Sequence, residues 1–100
     1  MEGNASVAAD VLASYAADAA REVEGVLGLV ESRLPRQGGV KVDGENRVVR
    51  VELYVELAWG ASAAEVGNEV QRRVADYLER MAGARPHAVD VVIAEIGPPS

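Results

Sequence analysis

His87 is the single histidine of a chain that contains no cysteine. It follows Pro86 and precedes Asp90, a neighbourhood that could suggest a general base with an orienting carboxylate. Such a base needs a nucleophile within hydrogen-bond reach. Ser6, Ser14, Ser32 and Ser62 sit in no nucleophile-like turn, so His87 reads as a loop residue before a strand. Lacking cysteine, the chain has no disulfide, thiolate zinc site or cysteine nucleophile, and one histidine excludes a multi-histidine metal site within a subunit. Among the carboxylates, Glu52 and Glu56 share one face of a strand. At ~3.3 Å per residue they stand about 13 Å apart, too far to share a proton. Asp18 and Glu22 are closer, on a helix, and read as solvated. Gly38, Gly39, Gly44 and Gly60 have no phosphate-cradling spacing. At the helix start after Gly60, Ser62 and Glu65 already take the free N–H groups that could hold an anion. The residues thus give no catalytic, cofactor or metal set.

Surfaces say more. Arg33, Arg36, Lys41 and Arg47 are the one basic concentration in a chain of net charge −6. If they converge they are contacts for an acidic partner or lipid head groups; otherwise they belong to solvated loops. An acidic chain is a poor nucleic-acid binder, because phosphate neutralisation dominates that affinity. The last strand is apolar on both sides: Val89, Val91 and Ile93 on one, Val92, Ala94 and Ile96 on the other. Tyr54 also lies on the nominally wet face of its strand. Tyr54, Val92, Ala94 and Ile96 therefore form a candidate self-association surface, unless the N-terminal segment or the tail folds over it.

The elements that position these residues begin with an alternation. Val49, Val51, Leu53, Val55, Leu57 and Trp59 are apolar, and Arg50, Glu52 and Glu56 lie between them. Side chains of a strand alternate faces, so this is a long strand with one buried and one wet side. Val40–Val42 and the turn residues Asp43-Gly44-Glu45-Asn46 make it the second arm of a hairpin. Val11, Leu12, Tyr15, Ala16, Ala19, Val23 and Val26 predict a first helix over about 8–24, stopped by Gly25. Residues 27–39 read as a connector, and Ala5 with Val7 as a short edge strand. Ser62 to Glu65 is a capping box opening a second helix with the stripe Val66, Val70, Val74, Tyr77, Leu78 and Met81. Glu69–Arg73 and Asp76–Arg80 are i,i+4 pairs on its wet side, and Gly83 is its stop. Ala88–Ile96 is the last strand. The order (β)αββαβ gives an α+β two-layer sandwich, a mostly antiparallel sheet of three to four strands with two helices on one face.

At 100 residues and 49% hydrophobic content, this is a single domain, 1–100, with its ordered core at about 5–96. The start carries Glu2, Asp10 and Asp18 and reads as no signal peptide. Nothing reaches the ~18 unbroken apolar residues of a membrane span. The expected location is cytoplasmic.

The whole pattern resembles the alkaline-shock protein family of bacteria, also called the general stress or envelope stress response family. The resemblance rests on the run from Gly39 to Gly83, on VDVVIAEI at 89–96, and on DVLASYAADAAREVEGVLGL at 10–29. Within the last segment stands Ala19-Ala20-Arg21-Glu22-Val23-Glu24-Gly25-Val26. Ala8 departs from the family's strand-then-serine entrance to the first helix, and the connector and tail are compact. The resemblance implies a small non-catalytic stress-response protein of the cell envelope. It would self-associate as a scaffold or adaptor, peripheral at the inner face of the cell membrane through a membrane-anchored protein partner. It brings no catalytic residue and no cofactor. Two other readings stay open: a small-ligand-binding or enzymatic α+β domain, which needs a deep pocket with convergent polar groups, and a nucleic-acid binder, which needs a basic surface or clamp loop.

Overall fold

One strand supplies hydrogen bonds to every other strand of the sheet. The computed structural model describes residues 2–31, 39–45 and 48–99, with side chains over 9–31, 39–43 and 49–99. The described residues form α1 (Glu2–Arg21), β1 (Val26–Leu29), β2 (Val40–Glu45), β3 (Val48–Leu57), α2 (Ala63–Ala82) and β4 (Ala88–Ile96). β3 pairs antiparallel with β1, from Val26↔Leu57 to Leu29↔Val55, and with β2, from Val40↔Leu53 to Glu45↔Val48. β4 pairs parallel with β3 from Arg50↔Ala88 to Leu57↔Ile96. Because β4 runs beside nearly all of β3, β1 and β2 must lie end to end along its opposite side. They amount to one edge strand, interrupted between Val30 and Gly39.

The interruption is closed tightly. Val30 N–H donates to Tyr54 O at 2.8 Å, and Tyr54 N–H donates to Gly39 O at 2.9 Å. Chain exit and re-entry thus flank one residue of β3. Gly39 adopts φ +82°, and a Cβ there would sit 2.8 Å from Val30 O, so only glycine fits.

The alternation of β3 is as expected up to Leu57. Val51, Leu53, Val55 and Leu57 are buried beneath the helices with Val40, and Val66, Val70, Val74 and Leu78 of α2. Trp59 departs from the row. β3 ends at Leu57, and Trp59 lies in the following turn, 62% exposed. α1 contributes mostly alanines, Ala13, Ala16, Ala17, Ala19 and Ala20, with Leu12, and Val23 follows just past its end. Its short side chains let the helix lie close to its neighbours, as a chain without phenylalanine requires. Tyr15 of α1 meets Tyr77 of α2 edge to face, ring centroids 5.7 Å apart, a favoured aromatic geometry.

Several expectations need correction. α1 runs through Ala5 and Val7, the position of the expected edge strand, because helix-favouring alanines continue to its start. It ends at Arg21 rather than near Glu24. Glu22 and Val23 N–H bond back to Ala19 O and Ala20 O, three residues earlier, the tight winding common at helix ends. The expected connector contains β1. Gly25 leads into β1 rather than stopping α1. It takes φ +99°, and a Cβ there would come within 2.7 Å of Val66 Cγ2, so glycine lets the turn pass close to α2. Asp43, Gly44 and Glu45 are in the hairpin ladder instead of its turn, and residues 46–47 lie outside the described residues. Val11 and Met81, assigned to buried stripes, are 39% and 50% exposed.

α2 has the expected caps and the expected Glu69–Arg73 pair, but Asp76 pairs with Arg72 in place of the expected Arg80. Ser62 Oγ accepts from Glu65 N–H at 3.2 Å, and Gly83 N–H closes the far end onto Glu79 O. On the wet side Glu69 accepts from Arg72 at 2.6 Å and from Arg73 at 2.8 Å. Asp76 pairs back to Arg72 at 3.6 Å, and Arg80 lies over the Tyr77 ring. The Arg72 hydrogen bond first, then that of Arg73, holds the Glu69 carboxyl below its usual range.

Three variants test this packing. Gly25→Val should lower the urea midpoint by the equivalent of about 2–4 kcal/mol, adding left-handed strain to a clash with Val66. Gly60→Ala, also at positive φ but with open space around it, should cost about 1–2 kcal/mol. Glu69 has a folded pKa below its unfolded one. Its stabilisation is therefore complete above the unfolded value, about 4.3, and fades as pH falls through the folded one. Wild type should unfold at a higher urea concentration than Glu69→Gln at pH 7, and the gap should close on acidification.

Candidate functional site

Both helices cover one face of the sheet, so the residues of β3 with even numbers face away from them. The register sets their neighbours. Arg50 stands beside Asp43 and Ala88, Glu52 beside Lys41 and Asp90, Tyr54 beside Val92, and Glu56 beside Glu95. The bare face therefore has an apolar centre, Tyr54 and Val92, between two acidic rows. Lys41 and Arg50 answer only part of that negative charge. Lys41 Nζ lies 3.7 Å from Asp43 Oδ2, which ties the lysine to its own strand. Lys41, Asp43, Arg50, Glu52 and Asp90 line a shallow depression of about 180 Å³.

Of the four residues expected on a self-association surface, the register brings Tyr54 and Val92 together. Ala94 lies at an irregularity. The pairing passes from Val55↔Ile93 to Glu56↔Glu95, so β4 carries one extra residue, a β-bulge. Past the bulge the alternation reverses, and Ile96 lies beside Leu57 on the helix-covered side, 59% exposed beyond the helices. Of the four basic residues, Lys41 is placed as described. Arg33, Arg36 and Arg47 lie outside the described residues.

A second apolar group went unread in the sequence. Leu27 is 57% exposed, and its Cδ1 reaches within 2.5 Å of where a Cβ on Gly97 would sit. It therefore crosses the end of β3. With Trp59 just past the strand and Ile96 beside Leu57, large apolar side chains gather at one end of the sheet. Leu27 was hidden inside the supposed connector, and Trp59 was assigned to the buried row.

The other candidates have ordinary surroundings. His87 N–H donates to Val49 O at 2.6 Å and anchors the start of β4, while the residue stays exposed. A wide groove of about 700 Å³ runs between the helices, lined by Glu22, Arg72, Arg73, Asp76, Glu79 and Arg80. Its charges are of both signs and Arg72 and Arg73 both bind Glu69, so no single sign converges there. Among the described residues no group of three or more His, Cys, Asp or Glu could hold a metal ion. No helix among them is long and apolar enough to cross a membrane.

Solved structures share this fold. A MamM CTD variant exchanging a histidine and a glutamate superposes with a TM-score of 0.64 at 13% identity, covering 91% of this chain and 83% of that one. A methionine-to-leucine variant of MamM CTD gives 0.58 at 15% identity, covering 88% and 96%. The copper form of an aspartate-to-histidine variant gives 0.58 at 13%, covering 89% and 98%. Identities this low speak for the architecture alone. No curated protein matches the sequence. The family of alkaline shock protein 23, characterised by a cell envelope-related function, matches residues 1–98, and the chain belongs to that family.

Proposed function

We propose that the chain is a non-catalytic scaffold or adaptor of the bacterial cell envelope. It self-associates and works at the cytoplasmic face of the membrane, held there by a membrane-anchored protein partner. The observation that carries this reading is the one-sided covering of the sheet. Helices seal one face, while the other keeps the Tyr54–Val92 centre, with Leu27, Trp59 and Ile96 gathered at the sheet's end. Exposed apolar groups of this kind are the usual mark of contact surfaces between proteins. The family's cell envelope-related function supports the location. The self-association surface is the β4 side of the sheet, centred on Val92. The apolar end serves the protein partner. The basic residues Arg33, Arg36, Lys41 and Arg47 contribute, in this reading, acidic-partner or head-group contacts.

Net charge opposes association of like chains, and salt screens it. Light scattering after size exclusion should give a mass above the monomer that rises with concentration and with added salt. Val92→Asp and Tyr54→Glu should return the chain to monomer while leaving its helical circular dichroism unchanged. A wild-type chain that stays monomeric at millimolar concentration and high salt defeats the reading.

A further inference from the structure

β4 pairs with β3 along one side only, and among the described residues nothing runs along its other side. Outer strands are normally guarded by proline, lysine or shortness, because their unpaired backbone groups template a further strand. β4 has nine residues, no proline and no lysine, and only Asp90 and Glu95 as charges. Val89, Val91 and Ile93 are only half-buried under the helix layer, and Val92 is exposed on the bare face.

One hydrogen bond gives the direction of the edge. Gln71 Nε2 of α2 donates to Val89 O at 2.9 Å. A side chain reaching this carbonyl from the helix marks it as turned away from β3. Backbone groups alternate along a strand, so Val91 and Ile93 also present N–H and C=O outward, while Asp90 and Val92 turn inward. Gln71 already satisfies Val89, which leaves Val91 and Ile93 as the open pair.

We infer that a second copy of this chain adds its own β4 antiparallel along this edge, with Val92 on the two-fold axis. This rests on the self-associating reading above and specifies its geometry. Val91 of each copy exchanges both backbone hydrogen bonds with Ile93 of the other, and the Gln71–Val89 bond survives. Val92 then faces its own symmetry mate as a non-hydrogen-bonded pair, Cα atoms about 4.5 Å apart. Asp90 comes opposite Ala94, the bulged residue. An axis on Val91 would instead require Val89 to leave Gln71, and an axis on Ile93 would require Val91 to exchange bonds with Glu95, past the bulge where the outward alternation no longer holds. The strand is thus self-complementary in one register. Joined this way, the two sheets become continuous, with all helices on one face and both acidic faces on the other.

Because the chain has no cysteine, single-cysteine variants test this directly. At the Val92 separation a disulfide closes without strain. Val92→Cys should oxidise to a covalent dimer at least tenfold faster than Asp90→Cys. In parallel, amide exchange at Val91 and Ile93 should slow at least tenfold from dilute to concentrated protein. Val91→Pro removes an outward N–H and no bond to β3; it should keep the circular dichroism and weaken association more than tenfold. An oligomeric wild type with unprotected Val91 and Ile93 amides overturns the edge pairing, stacking of bare faces included, while self-association stands. A strictly monomeric wild type overturns both. If Val91→Pro fails to fold, the cysteine and exchange measurements decide alone.

Discussion

β3 hydrogen-bonds along both of its sides, and every other element takes its place from that. The backbone of Tyr54 bonds Val30 and Gly39 on one side, and the parallel ladder to β4 occupies the other. The same strand buries Val51, Leu53, Val55 and Leu57 on one face. Sliding it by one residue would send these four side chains into water and the carboxylates of Glu52 and Glu56 into the core. Register, core and bare face are therefore a single property of this strand, and the proposed contact surface takes its geometry from it.

The helix layer meets this demand with unusual materials. α1 buries mostly alanines, while α2 contributes the larger Val66, Val70, Val74 and Leu78. Glycines let the backbone approach where a side chain would interfere, at Gly25 against α2 and Gly39 against Val30. The charged residues of α2 satisfy one another through Glu69, Arg72, Arg73 and Asp76. The polar helix side is thereby self-contained, and the sheet side is the one left bare.

What the sequence made legible follows from how local each signal is. The alternation in β3 up to Leu57, the pairing of β2 with β3, the Ser62 cap and the Gly83 stop are written within a few residues, and the structure agrees with them. β1 was illegible: it spans four residues, includes Gly28 and bulges against β3, so it exists only because β3 has room for it. Trp59 looked like the next step of an alternation that the chain had already left. At the candidate surface, Tyr54 and Val92 could be suspected from pattern, but their adjacency is a fact of long-range register. Ile96 was misplaced because one extra residue near Ala94 reverses every later assignment. Gln71 gave no signal at all, since a polar residue on an exposed helix side looks the same whether or not it reaches a neighbouring strand.

The pinched stem at Val30 and Gly39 has a consequence for register. Both legs are clamped to the backbone of one β3 residue, so the ladder is indifferent to how many residues lie between them. The clamp itself sets no length for that interval, and the entropic cost of closing a longer one rises only slowly. Exit and re-entry at one β3 residue therefore uncouple the register of β2 from the length of chain joining Val30 to Gly39.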